Sequence, residues 1–146
     1  MRRAALLLAA LALGFAPVPF PNSAKPRSPE DDLKALEGEW RRDSLSIDGR
    51  PGGVGTVAVI KDGRMAFGTP GDDWNLTLDT STTPRRIDSR RVKDDPGIDP
   101  FWAVYRLEGD TLYYCDRQGK DVSARPAGFD PAQRNVWLAT YRRVKN

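Results

Sequence analysis

The chain has no histidine and a single cysteine, Cys115. Without histidine there is no Ser-His-Asp or Cys-His nucleophile system, no imidazole general acid or base, and no zinc site with His ligands. One cysteine excludes an internal disulfide and any Cys-rich metal site. No phosphate-binding loop and no dinucleotide fingerprint occur. Long apolar runs are also missing, apart from one near the start. Ala4–Phe15 is continuously apolar but too short to span a bilayer comfortably as an anchor. Charge of one sign is not in excess. There are 23 basic and 20 acidic residues, net +3, and Arg2 and Arg3 account for two of those charges. The basic clusters at Arg41-Arg42, Arg85-Arg86, Arg90-Arg91 and Arg142-Arg143 are mostly interrupted by aspartates, as in an ordinary solvated surface.

What is present begins with a three-part leader. Met1-Arg2-Arg3 is basic, Ala4–Phe15 apolar, and Ala16–Ala24 a Pro-rich exit with small residues. This is the pattern of a secretory signal peptide over residues 1–24. Prolines 17, 19 and 21 exclude a buried helix there, and no cysteine near the cut allows lipoprotein attachment. The Arg pair hints at twin-arginine export, but the apolar run follows it too quickly. The sequence therefore predicts an exported, periplasmic or extracellular protein without a stable membrane anchor after cleavage. Residues 25–146 are then one domain. That length buries roughly two-thirds of its unfolded surface and needs neither metal nor disulfide to hold it. Export makes nucleic acid an improbable partner.

The strongest local signal is Phe101–Asp116, two arms around a Gly109-Asp110 turn, with aromatic residues on both. Upstream, Ser28-Pro29-Glu30-Asp31 predicts a helix: a capping Ser, Pro at the first helical position, acids in the first turn, and Gly38 to end it. A strand from Trp40 to about Ile47 follows. Trp40 has the opposite parity to Leu45 and Ile47, which predicts a bulge or sharp bend near Asp43. Asp48–Gly53 reads as a turn, and Val54–Lys61 and Arg64–Gly68 as strands around an Asp62-Gly63 turn. Trp74, Leu76 and Leu78 alternate with polar residues on a fourth strand. Arg85–Val92 is a more polar fifth, and the Phe101–Asp116 hairpin supplies two more. After a long connection containing Phe129, Asn135–Arg143 is the last. Its Val136 and Leu138 lie on one face, and Trp137, Ala139 and Tyr141 on the other.

The expected fold is therefore all-β: about eight antiparallel strands, in an up-and-down barrel with one short N-terminal helix. A sandwich is the alternative. No internal repeat is present.

Several of these stretches, taken in order, resemble the uncharacterised lipocalin-like domain family of planctomycete bacteria. They are Asp32–Trp40, Asp48–Pro51, Leu78-Asp79, Pro84–Asp88, Tyr105–Leu112 with Cys115, Gly119–Asp121, Arg125-Pro126 with Phe129, and the ending Arg142-Arg143. Val122–Ala124 lengthens one loop relative to the family pattern. The resemblance implies an exported lipocalin-like β-barrel and no reaction. Its Gly38-x-Trp40 is similar to the opening motif of lipocalin-like barrels, where a late arginine, here Arg142 or Arg143, lies across the Trp ring as a cation–π contact. Gly38, Trp40, Arg142 and Arg143 are thus the expected closure of one barrel end.

No catalytic set and no metal or cofactor site is predicted. The Asp94–Asp99 loop does not fit the known calcium spacing, and Asn75-Leu76-Thr77, a glycosylation acceptor in form, falls on a strand. Cys115 reads as a small apolar strand residue. The function expected is non-enzymatic. One form is a barrel binding a small apolar ligand, with Trp74, Trp102 and Tyr114 among the lining residues and entry opposite Trp40. The other is an interaction or inhibitor module of the cell envelope acting through its loops, with a partner the sequence does not identify. Small barrels are often filled by their own side chains, so the aromatic residues serve either reading.

Overall fold

A computed structural model describes residues 27–93 and 95–145. The signal-peptide assignment to residues 1–24 lies outside them. The helix forms where its signals stand. Helix α1 is Pro29–Leu36, Ser28 Oγ accepts from the Asp31 N–H at 3.1 Å, and Glu37 closes it. Nine strands follow among the described residues: β1 Gly38–Ile47, β2 Arg50–Pro51, β3 Val57–Lys61, β4 Arg64–Ala66, β5 Asp73–Asp79, β6 Arg85–Arg91, β7 Phe101–Glu108, β8 Thr111–Gln118 and β9 Trp137–Arg143. Every pairing is antiparallel. β1 and β3 through β9 run in sequence order and β9 returns to β1, which closes an eight-stranded barrel; β2 lies outside, paired only with the end of β1.

The parity break in the first strand is a real register shift. Trp40 and Arg42 face inward opposite Arg143 and Tyr141. The shift falls between Arg42 and Ser44, and beyond it Leu45 and Ile47 oppose Ala139 and Trp137. One extra residue at Asp43 lets both apolar sets face the interior of a single bent strand.

Expected boundaries move, most of all around β2; the strands expected at Arg64–Gly68 and Asn135–Arg143 also shorten, to Arg64–Ala66 and Trp137–Arg143. Only Asp48 and Gly49 form the turn after β1, both at positive φ (52° and 75°), and Arg50–Pro51 is a short edge strand, where a proline is tolerated. The next strand starts at Val57 and not Val54, because Val54 is exposed and Gly55, at φ 84°, turns its N–H onto the Arg42 carbonyl.

Two apolar clusters result. The larger lies inside the barrel and includes Leu36, Trp40, Ile60, Leu78, Ile87 and Tyr105. The smaller lies on the outer face of β7, β8 and β9, where Val104, Cys115 and Val136 are covered by Phe129 and Leu138. The β8–β9 connection, with a 3₁₀ turn at Val122–Ala124, folds over this outer face. It is held there by Arg125, whose Nη1 donates to the Ala103 carbonyl at 2.8 Å and whose Nη2 pairs with Asp88 at 2.6 Å. Cys115 is fully buried in this layer, and burial pushes its thiol up to about 12.

Candidate functional site

The barrel has two unlike ends. At one end α1 lies across the strands as a plug. Leu36 and Trp40 are fully buried, and the Trp40 Nε1–H donates to the Leu36 carbonyl at 2.7 Å. Arg143 stacks over the Trp40 ring, with its guanidinium carbon 4.2 Å from the ring centroid. The same guanidinium donates to the carbonyls of Ala35, at 2.6 Å, and Glu37, two of the acceptors a helix end leaves unpaired. Arg142 has no part in this. It points outward and pairs with Asp43 at 2.8 Å across exposed surface, because neighbouring strand residues face opposite ways. Gly38 explains itself at the same place. Its φ is 129°, and a Cβ there would lie 2.9 Å from Arg143 Nη1. The glycine clears the space in which the arginine reaches the helix.

A buried charge locks the plug from the other side. Asp32, 1 % exposed, accepts from the Tyr105 hydroxyl at 2.6 Å and from Arg85 Nη1 at 2.5 Å. Burial, and then the hydrogen bond to Asp32, raise the Tyr105 phenol well above its ordinary value, so it stays a donor.

The opposite half of the barrel is hollow. A cavity of about 300 Å³ extends from the Trp40 plug toward the other end. Its walls are largely hydrocarbon and aromatic: Ile60, Met65, Phe67, Trp74, Phe101 and Tyr114 are among them. Trp74 and Phe101 meet edge to face, 4.8 Å between centroids. Trp74 is fixed by its Nε1–H bond to Asp72 at 2.8 Å, and Asp72 is also paired with Arg91 at 3.4 Å. Trp137, 46 % exposed, stands at the rim.

The residues expected to line a ligand site divide. Trp74 and Tyr114 line the cavity. Trp102 does not, which corrects its assignment. Phe101 is the inward residue of that pair, and Trp102 packs on the outer face. There its Nε1–H donates to the Gly119 carbonyl at 2.7 Å, and Arg90 and Arg125 lie 5.0 and 5.6 Å from the ring centroid. The covering connection buries an outward ring, so burial and inward direction do not coincide at this position.

Polar groups punctuate the apolar wall, and sequence reasoning missed the two that matter most. Arg42 shares the inward face with Trp40. Its Nη2 donates to Thr56 Oγ1 at 2.8 Å, while its buried Nε has no partner. Asp116 shares the inward face with Leu112 and Tyr114. Its Oδ1 is buried without a hydrogen-bond partner, and burial pushes the carboxyl up to about 7. Tyr114 bonds Ser89 across 3.3 Å and is also raised by burial. Extending the β1 and β8 alternations by one step would have flagged both charges as inward-facing.

Among the described residues, no three His, Cys, Asp or Glu side chains gather as a metal site, and no helix is long and apolar enough to cross a membrane. Chemically the arrangement can enclose a small apolar body and offer it a few hydrogen-bonding groups. Comparison with family models, with curated proteins and with solved structures returned no match.

Proposed function

We propose that this protein is an exported lipocalin-like barrel that binds a small, mainly apolar ligand inside the barrel. The observation that carries the reading is the cavity of about 300 Å³ above the Trp40 plug, walled by aromatic and aliphatic side chains. Its size falls at the lower end of small-molecule sites, and its few polar groups match what such sites use for orientation. A barrel packed solid by its own side chains would have favoured the alternative, an interaction or inhibitor module acting through its loops. The hollow interior supports ligand binding instead. The reading assigns no reaction, and it takes the chain as a relative of the planctomycete lipocalin-like domains on the motifs quoted above.

Native mass spectrometry of the protein recovered from its own compartment tests the function. The expected result is a co-purified small molecule lost on denaturation. Titration of tryptophan fluorescence with apolar probes gives the second reading, because Trp74 and Trp137 border the cavity. No bound molecule and no saturable response would overturn it. Export rests on the leader pattern of residues 1–24. N-terminal sequencing of the exported protein should find a start near Lys25, and finding only an intact Met1 form in the cytoplasm would refute it.

A further inference from the structure

An apolar pocket alone says little about its occupant, but this one contains a carboxylate in an unusual position. Asp116 sits on β8 where the alternation Leu112, Tyr114, Asp116 sends it inward, and it lines the cavity. Its cross-strand neighbours are Ala103 on β7 and Trp137 on β9. The residue keeps some exposed surface, yet its Oδ1 is buried and accepts no hydrogen bond, and it pairs with no Lys or Arg among the described residues. Asp32, buried as a whole residue, has both a guanidinium and a phenol. A buried carboxylate without a partner is costly and is ordinarily compensated.

We propose that the cavity takes a small apolar amine, with its ammonium nitrogen donating to Asp116 and its hydrocarbon or aromatic body lying among Trp74, Phe101 and Tyr114. This deepens the ligand-binding reading and rests on it. A cation supplies both the charge and the donor that Oδ1 lacks. The rings near it add attraction for a positive group. An acid would be the choice only if Arg42 set the ligand's orientation. Arg42, however, already donates through Nη2 to Thr56, which leaves only its Nε buried and unpaired, and its backbone lies opposite Tyr141, on the plug side of the bulge from Trp137 and Asp116.

The titratable and charged groups around Asp116 are Tyr114 and Cys115 on its own strand, Tyr141 on β9, Arg42 on β1, and the Asp72–Arg91 pair at the rim. The two tyrosines and the thiol are all raised by burial and stay neutral near pH 7. Asp116, at about 7, is therefore the group that changes charge there. Amine binding requires its ionised form, so affinity falls as pH drops below about 7.

The test is calorimetry with three probes that share one body: 2-(1-naphthyl)ethylamine, 2-(1-naphthyl)ethanol and 1-naphthylacetate, at pH 8 and pH 6. At pH 8 the amine should bind at least tenfold tighter than the alcohol, with the acid weakest. Between pH 8 and pH 6 its affinity should fall several-fold while that of the alcohol holds. Asp116→Asn should remove the amine's advantage over the alcohol. The wild-type comparison stands even if that variant does not fold. Equal affinity for amine and alcohol, or tightest binding of the acid, overturns the amine proposal and leaves the apolar cavity intact. Binding of none of the three overturns both readings together.

Discussion

Arg143 makes three contacts that hold the plug, and removing it should be among the most damaging changes to this barrel. The guanidinium donates to two carbonyls at the end of α1 and covers the buried Trp40 ring at 4.2 Å. A hydrogen bond from a charged donor is worth about 1.5–3 kcal/mol, and the lower figure applies here because water can reach helix-end carbonyls once the arginine is gone. A cation over a desolvated ring adds about 1–2 kcal/mol. The 3.5 Å approach to Asp110 is half in solvent and adds little. The contacts share one group and are not additive, so Arg143→Ala should cost about 3–4 kcal/mol, a fall in Tm on the order of 10 °C for a domain of this size. Arg143→Lys keeps the charge but not the planar fork, and should recover only part of the loss. Urea unfolding followed by circular dichroism and tryptophan fluorescence measures both. A double-mutant cycle with Trp40→Leu should give a coupling of about 1–2 kcal/mol. Arg142→Ala, next door and facing water, is the control and should cost under about 1 kcal/mol. If Arg143→Ala unfolds within about 1 kcal/mol of wild type, or if the two arginines behave alike, the plug is not held in this way.

Three further outcomes follow from the same geometry. Gly38→Ala combines a strained φ with a clash at Arg143 Nη1, and should destabilise by about 1–3 kcal/mol in the same urea assay, more than Gly119→Ala, whose added Cβ would meet nothing. Asp116, raised to about 7 in the folded state, holds its proton more tightly there than in the unfolded chain; stability from this group is full below pH 4 and is lost as pH rises through about 7. Asp116→Asn should thus gain stability relative to wild type above pH 7 and show no such gain near pH 4, read from unfolding curves across that range. Cys115, buried and raised to about 12, should resist a thiol reagent at pH 8 until the protein is unfolded, when it should react at once.

Much of the barrel was legible because its signals are local. Ser28-Pro29 caps a helix by hydrogen-bond chemistry that needs no tertiary contact. Gly109-Asp110 and Asp62-Gly63 join strands through turns that only a few residue types adopt easily. The bulge at Asp43 was readable because a single strand cannot bury Trp40 and Leu45 without one. Trp40 with a terminal arginine followed from the motif, although the choice between Arg142 and Arg143 needed the register of β9 on β1. The face of the Phe101-Trp102 pair was not legible, since both residues are large and apolar and the connection that covers Trp102 lies more than fifteen residues downstream. Whether the interior is hollow was equally hidden. Packed volume depends on how side chains from eight strands fill one space, and no stretch of sequence reports that sum. Nothing local in the sequence sets Asp32 and Asp116 apart from the other acids. Only the fold shows that one is compensated and the other is not.

The seam between β1 and β9 sets the order in which this molecule can be built. Each of the other barrel pairings joins sequence neighbours, so hairpins can form while the chain is still incomplete. The seam unites Trp40 with Arg143, at opposite ends of the domain, and it carries the largest loop-closure cost of the fold. The barrel therefore stays an open, curled sheet with a free edge on each side until its last strand is present. Closure and plugging are then one event, because the residue that pairs with Trp40 also clamps the helix. Contacts absent from the folding transition state restrain unfolding more than they speed folding. Arg143 acts as a latch on the finished molecule, and a chain cut short before it would be left without one.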